Sequence, residues 1–319
     1  MKARNAVESV IAAFDHANLV ALGERHWARE DAQFRLEVIR NPAFTQKAND
    51  IVIECGNPLY QRILDRFIDG ESVSDAELQR VWRDTTQPGA WDSPVYEEFL
   101  HAVRAVNANL PPHRRVRVLA ADSPIDWSAA ATPCDLGGTM QDRDRSAAAV
   151  IRQEVLNRGR KALVIFGSAH LYRGRPGTIA DLLKDDSRAK WFLVAPLGGP
   201  GLPKEIASRQ AKPEEPVLLT LAGDAAGHLP AADVLEIGSK RLQVVDGKPV
   251  FEDGKPVFLP VFEGETEVGE LADACLFFGE APPEFVPPPT GLHDDSEYGR
   301  EIQRRRNILR LAMYGPRAE

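Results

Sequence analysis

Four short apolar runs recur along the first two thirds of the chain, and amphipathic segments separate them. The runs cover residues 19–23, 51–55, 117–121 and 163–167. Continuous runs of this length, rich in Val, Ile and Leu, are typical of strands buried on both faces of a parallel sheet. The amphipathic segments between them predict crossover helices. The pattern therefore predicts an α/β fold, a mostly parallel sheet with helices on both faces.

One stretch departs from this alternation, because residues 58–110 between the second and third strands read as entirely helical. Ser74 and Glu77 have the spacing of a capping box that opens a helix. A polar loop between two of the helices is bracketed by Trp82 and Trp91. An insertion after the second strand is predicted to be either a lid over the carboxyl edge of the sheet or a helical subcore.

The composition changes after about residue 210. Another apolar run follows at residues 217–221, and Asp-Gly-Lys-Pro-Val-Phe occurs twice, at 246–251 and 253–258. So short a repeat indicates consecutive turns and strand starts. A charged amphipathic helix closes the chain. We therefore predict two parts. Residues 1–210 would form an α/β catalytic core with a helical insertion. Residues 211–319 would form a β-rich extension that completes the sheet with a hairpin and a terminal helix.

The charge and composition of the chain limit the kinds of molecule that we expect it to bind. The chain has 319 residues and a formal net charge of −8 with both signs interspersed, which argues against nucleic acid or an anionic membrane. No apolar run reaches the roughly 18 residues of a membrane helix, and the amino terminus leads into an amphipathic helix. Three cysteines without a Cys-x-x-Cys pair indicate reduced thiols. We expect a cytoplasmic protein acting on a small molecule or a peptide, with the oligomeric state left open.

The same tetrapeptide pattern, Gly-x-x-His, follows the first and the fourth apolar runs. One copy places Gly23 before His26, and the other places Gly167 before His170. A glycine there would let the chain turn sharply where the strand ends. The carboxyl ends of parallel strands share one edge of the sheet, where open α/β sheets bind their ligands. We therefore expect the two histidines to converge in one cleft.

Carboxylates are predicted at the same edge. Glu24 lies inside the first motif, Glu54 ends the second apolar run and Asp122 follows the third. Two imidazoles with carboxylates suit general acid–base catalysis or a divalent metal with its water. The alternative for the two strand-end acids is helix capping. The predicted catalytic residues are His26, His170, Glu24, Glu54 and Asp122. The candidate metal ligands are Glu24, His26, Glu54 and His170, with Mn, Co, Zn or Fe left undetermined.

These motifs, in this order, resemble the erythromycin esterase/ChaN-like superfamily. The ChaN-like branch is the nearest and the TIKI/TraB type is more distant. The resemblance covers roughly residues 17–200 and includes the helix start at Arg143 and Asp144 and the stretch from Gly167 to Gly174. It implies that Arg143 and Asp144 face the cleft, where the arginine would clamp an anion or a substrate carboxylate.

The resemblance implies a fold and a site more than a substrate. Macrolide esterases have one more residue between the Glu and the His of the first motif. The expected function is hydrolysis of an ester, amide or related bond. The alternative is a haem- or other cofactor-binding protein that uses the same cleft. In that case His26 or His170 would be an axial ligand, and Trp82 and Trp91 would supply an apolar wall.

Four further residues have candidate roles near this edge. Trp91 would contact substrate from the lid, and Arg173 lies in a basic turn that either binds an anionic substrate or is simply exposed. Cys55 and Ser168 are candidate nucleophiles. A small cysteine on such a strand is commonly a core residue, and a serine adjacent to a histidine on one turn seldom forms a productive dyad. We therefore favour the histidines over both.

Overall fold

A seven-stranded sheet organises the chain in a computed structural model. The structure describes residues 5–136, 143–198, 203–208, 215–235, 240–242, 244–245, 248–252, 255–260, 262, 266–294 and 296–314. The strands of the sheet are β1 Leu19–Glu24, β2 Asp50–Ile53, β3 Arg117–Ala120, β4 Ala162–Gly167, β5 Trp191–Leu197, β6 Val217–Thr220 and β13 Ala274–Phe277. Their spatial order is β3-β2-β4-β1-β5-β13-β6.

Helices connect the strands. They are α1 Ala6–Ala13, α2 Arg29–Arg40, α3 Phe44–Lys47, α4 Gln61–Ile68, α5 Asp75–Arg83, α6 Pro94–Ala108, α7 Arg143–Val150, α8 Ile179–Leu182, α9 Lys204–Ala207, α10 Ala231–Val234, α11 Val268–Leu271 and α12 Glu297–Tyr314. A π-helical turn, Ile151–Val155, and a 3-10 turn, Leu156–Arg158, prolong α7. Among the described helices, none combines the length and the apolar character needed to span a membrane.

The four predicted strands are neighbours and parallel, with β3 at the edge of the sheet. β4 pairs in parallel with β1 and with β2, and β2 pairs in parallel with β3. Glu24 is in register with Gly167, and Ile53 is in register with Ile165. The carboxyl ends of β1, β2, β3 and β4 therefore lie along one edge. The predicted α/β fold class is confirmed.

Alternate strand residues bury into two separate cores, one on each face of the sheet. Val20 and Leu22 of β1 belong to the core under α1, α2, α4, α5 and α6. Leu19 and Ala21 belong to the core under α7 and α8. Because both faces are covered, the strands are apolar at nearly every position. This explains the uninterrupted runs in the sequence.

The stretch between β2 and β3 is helical, as predicted, and its capping box at Ser74 and Glu77 is present. It contributes α4, α5 and α6. Trp82 and Trp91 are 3% and 1% exposed and lie in the main core with Phe99. The insertion thus packs as a continuation of the core on that face.

The C-terminal part of the chain adds strands to the same sheet. β13 pairs in parallel with β5, and β6 pairs antiparallel with β13. Short antiparallel ladders join β7 Lys240–Leu242 to β12 Phe258–Pro260, β8 Val244–Val245 to β9 Lys248–Pro249, and β10 Phe251–Glu252 to β11 Lys255–Pro256. The turns of the sequence repeat, residues 246–247 and 253–254, lie outside the described residues. The division at residue 210 stays a prediction.

Candidate functional site

Both histidines of the Gly-x-x-His motifs lie just beyond the carboxyl edge of the sheet. His26 follows β1 by two residues, and His170 closes a 3-10 turn, Ser168–His170, that starts directly after β4. Their side chains are 34% and 24% exposed. Since β1 and β4 are neighbours in the sheet, the two imidazoles stand side by side within reach of solvent.

A buried carboxylate orients His26. Its Nδ1 lies 2.8 Å from Glu24 Oε1, and the Glu24 side chain is only 4% exposed. The Tyr96 hydroxyl donates to the same oxygen at 3.2 Å. Arg35, from the buried side of α2, pairs with the other oxygen. Because the carboxylate can only accept, Nδ1 carries the proton and Nε2 has a free lone pair.

A second carboxylate orients His170 in the same way. Its Nδ1 lies 2.5 Å from Asp144 Oδ1. Asp144 lies in the first turn of α7, where the helix dipole favours an acid, and its side chain is 23% exposed. Each imidazole is thus held through Nδ1 by its own acid.

Glu54 lies between the two imidazoles. Its carboxylate oxygens are 3.8 Å from His26 Nε2 and 3.4 Å from His170 Nε2. Arg143 Nη2 donates to Glu54 at 2.5 Å, and the Gly167 N–H donates at 2.7 Å. Burial alone would raise the pKa of Glu54, but the two histidines, Arg143 and the backbone N–H together lower this pKa to about 2. Glu54 is therefore an anion throughout the neutral range.

Asp122 binds the same arginine that contacts Glu54. It accepts from Arg143 Nε at 3.0 Å, so one guanidinium spans both acids. It also accepts from the Thr86 N–H at 2.6 Å and from the Thr86 hydroxyl at 2.8 Å. The Gln87 amide, oriented with its oxygen toward Arg143, accepts from Nη2 at 2.7 Å. Asp122 thus fixes the arginine and ties the loop after α5 to the sheet edge.

The glycines of the two Gly-x-x-His motifs allow neighbouring side chains to approach the backbone closely. Neither has a positive φ, and both lie within strands, so the sharp turn expected from the sequence is not their role. A Cβ on Gly167 would lie 3.0 Å from His26 Cε1 and Nε2. A Cβ on Gly23 would lie 2.6 Å from Ser168 Oγ. Each glycine makes room for a residue of the other motif.

Trp27, directly after His26, has a strained backbone. Its φ is +69°, and no other non-glycine residue among those described has a positive φ. For a bulky residue this conformation costs roughly 1–2 kcal/mol and requires support from its surroundings. The indole N–H donates to Ala90 O at 2.5 Å, and Val286 N–H donates to Trp27 O at 2.9 Å. Two distant segments thus hold the residue that follows the first histidine.

Trp91, predicted to contact substrate from a lid, does not reach the cleft surface. It is 1% exposed and packs edge-on against His26 and Tyr96, with ring centroids 4.8 and 5.0 Å apart. A fully buried indole has no face left for a ligand. Its position makes it a packing partner of His26.

Arg173, predicted to bind an anionic substrate, is engaged elsewhere. Its guanidinium forms a two-point ion pair with Asp273, one arm of which measures 2.8 Å. The same carboxylate accepts from the Leu193 N–H at 2.7 Å. Arg173 therefore ties the segment after His170 to the strand pair β5–β13, and the structure does not bring it into the histidine network.

The two candidate nucleophiles are both enclosed. Cys55 is buried, and burial raises the pKa of its thiol to about 12, so it remains protonated and a weak nucleophile. Ser168 is 1% exposed. Neither side chain can meet a substrate at the cleft.

The carboxylates do not offer a free set of metal ligands. Arg35 and Tyr96 occupy Glu24, while Arg143 and a backbone N–H occupy Glu54. Two guanidinium groups already compensate the charge that a cation would need. Across the part of the chain that the structure describes, no three His, Cys, Asp or Glu side chains are arranged to hold a metal ion. The donor set does not fit the predicted divalent metal.

Sequence reasoning missed the residues behind the histidines, Arg35, Tyr96 and Thr86. Arg35 had a usable signal, because it lies on the buried stripe of α2, four residues after Asp31 and four before Ile39. A charge on an apolar stripe requires a buried partner. Thr86 had none, since its partner comes from a separate strand.

A family comparison finds a match over part of the chain. Residues 10–136 match a family described as haem-binding uptake, Tiki superfamily, ChaN. The predicted resemblance to the erythromycin esterase/ChaN-like superfamily is confirmed. The matched region includes the first Gly-x-x-His motif, Glu54 and Asp122, whereas the second motif lies beyond it. No curated protein matches the chain in sequence.

Three solved structures of low sequence identity are similar to this chain in fold. A succinoglycan biosynthesis protein is 11% identical with a TM-score of 0.52, and 88% of this chain covers 91% of that one. An erythromycin esterase, EreC, in its open conformation is 13% identical with a TM-score of 0.51, over 88% and 95% of the two chains. A Bacillus cereus protein is 10% identical with a TM-score of 0.51, over 88% and 92%. At these identities the likeness concerns the fold alone.

Proposed function

We propose that the chain is a hydrolase that cleaves an ester, amide or related bond of a small molecule or peptide by general acid–base catalysis. One observation carries the proposal. Two solvent-accessible imidazoles, each fixed through Nδ1 by its own carboxylate, both direct Nε2 toward the buried anion Glu54. Oriented imidazoles of this kind are the commonest side chains for moving protons at neutral pH.

His26 is the candidate general base. Burial lowers its pKa, an effect that the negative charge of Glu54 only partly opposes. The ring is therefore neutral at neutral pH. With Nδ1–H bonded to Glu24, the free lone pair on Nε2 can take a proton from water as the water attacks the scissile carbon.

His170 is the candidate general acid. Its Nδ1 is bonded to the Asp144 carboxylate and its Nε2 faces the Glu54 carboxylate, so two carboxylates lie beside this ring. In this role Nε2–H would pass its proton to the leaving group. Glu54 stays ionised between the two rings, stabilises the charge on whichever ring is protonated, and is itself held by Arg143.

The test is an activity screen with matched histidine variants. The purified protein is assayed against a panel of small esters, amides and peptides, with and without chelator. His26→Asn and His170→Asn should each lower turnover by roughly 10²–10⁴-fold. His101→Asn is the control, since this exposed histidine lies on α6, 4.0 Å from Glu97. Full turnover in both site variants on a substrate that the protein cleaves would overturn the proposal.

A second candidate function is haem binding, which the family description favours. The expected apolar wall is not available, because Trp82 and Trp91 are buried in the core. Both Nε2 atoms also face Glu54 and not an open apolar slot. In this arrangement the residues do not fit haem, and binding would require them to rearrange. Titration with haemin decides the matter: a Soret band that His26→Asn or His170→Asn removes would support haem binding.

A further inference from the structure

The loop between α5 and α6, residues 84–92, forms one side of the site. Its Thr86 binds Asp122, and its Ala90 carbonyl accepts the indole N–H of Trp27. Its Trp91 packs on the ring of His26 at 4.8 Å. The position of this site loop therefore decides the surroundings of His26.

The opposite side of the site loop is held by the C-terminal segment of the chain. Arg306 donates to Pro88 O from Nε at 3.3 Å and from Nη2 at 3.2 Å. A Cβ on Gly89 would lie 2.8 Å from Arg306 Nη2 and 3.1 Å from His293 Cε1, and the φ of Gly89 is +79°. The segment fits against the loop so closely that it leaves no room for a side chain there.

At the end of the site loop, the Asp92 carboxylate accepts hydrogen bonds from three side chains. Its side chain is 1% exposed. It accepts from His293 Nε2 at 2.7 Å, from the Tyr298 hydroxyl at 2.8 Å and from Arg83 Nε at 3.3 Å. A buried carboxylate needs such partners to offset its desolvation. Two of the three donors come from the C-terminal segment.

The start of the loop is tied to the same segment. Arg305, on α12, donates to the backbone oxygen of Arg83 at 2.9 Å and pairs with Asp84 at 2.8 Å. The segment thus contacts the site loop at its beginning, middle and end. None of these contacts touches His26 directly.

We propose that this C-terminal clamp, formed by His293, Tyr298, Arg305 and Arg306, positions the site loop and through Trp91 sets the environment of His26. The four residues are positioning residues that act from outside the site. The proposal applies to whatever ligand the site takes, so it can be tested without a known substrate.

The test uses two variants in the full chain, Arg306→Gln in the clamp and Asp92→Asn at the end of the loop, where the clamp residues His293 and Tyr298 bind. Arg306 is exposed, so its replacement should not prevent folding. Gln303→Ala is the matched control, because this exposed α12 residue bonds Asn307 one turn along the helix. The measurements are the NMR signals of the His26 and His170 rings, assigned by variants at each histidine, and amide hydrogen exchange.

In both variants we expect the His26 ring signals to shift, because the ring current of Trp91 acts on them, while the His170 signals stay in place. Exchange at the amides of residues 85–87 and 89–91 should accelerate by roughly tenfold or more relative to the sheet, as expected for local opening. The control should change neither. Unchanged His26 signals and loop exchange in both variants would overturn the proposal, as would uniform acceleration across the whole chain.

Discussion

The two Gly-x-x-His units have the same sequence pattern but different support. Glu24, behind His26, is buried and is bonded by both Arg35 and Tyr96. Asp144, behind His170, is 23% exposed and lies at the start of a helix. The first pair is built into the core, and the second lies at the surface of the cleft. A repeated motif can therefore place two histidines alike and still support them with acids that differ in burial and in hydrogen-bond partners.

Removal of the aromatic support from the first unit should have the largest effect on stability. Trp91→Ala should cost about 3–5 kcal/mol in the free energy of unfolding, because a buried Trp is truncated and leaves a cavity. Denaturant titration measures the loss, and kinetics on an identified substrate should follow in parallel. A stable variant with a raised Michaelis constant would instead return Trp91 to the role of a lid.

The two acids themselves give the sharpest comparison. Glu24→Gln leaves Arg35 buried without its anion and should destabilise the fold by about 3 kcal/mol. Asp144→Asn removes a charge that solvent already screens and should cost less than about 1 kcal/mol. Paired urea melts of the two variants measure the difference. Equal losses would mean that the two units are supported alike.

The two glycines should differ in which side chain they disturb. Gly167→Ala places a methyl group 3.0 Å from the His26 ring and should cost about 1–3 kcal/mol through overpacking. Gly23→Ala presses on Ser168 instead. Only the first should shift the His26 NMR signals strongly. Similar His26 spectra for both variants would contradict the packing role inferred for Gly167.

The smallest effect concerns the protonation of His26. Its pKa is lowered from 6.5 by burial, so the unfolded chain takes up the proton at a higher pH than the folded chain does. This contribution to stability is therefore complete above about pH 6.5 and is lost as the pH falls below that value. NMR titration should give a His26 pKa below 6.5. A value above 6.5 would remove the argument for His26 as the base.

The sheet and the convergence of the site residues could be predicted because they follow from local patterns. Apolar runs fix the strands, and the parallel arrangement brings Glu54 to the edge that holds both histidines. The support of the site could not be predicted in the same way. Arg306 reaches Pro88 over a separation of 218 residues, and no local pattern reports such a contact. The burial of Trp91 likewise depends on its packing against His26 after β1 and Tyr96 on α6, which no local pattern predicts.

Each motif glycine packs against a residue of the other motif, and this affects how segments could be exchanged between related proteins. Gly23 makes room for Ser168 of the second motif, and Gly167 makes room for His26 of the first. A graft of one motif alone would introduce a steric conflict in the other wherever the donor has a larger residue. Substitutions at the two sites are therefore expected to be inherited together. A chimaera that transfers both strand ends as a unit should fold where single grafts fail.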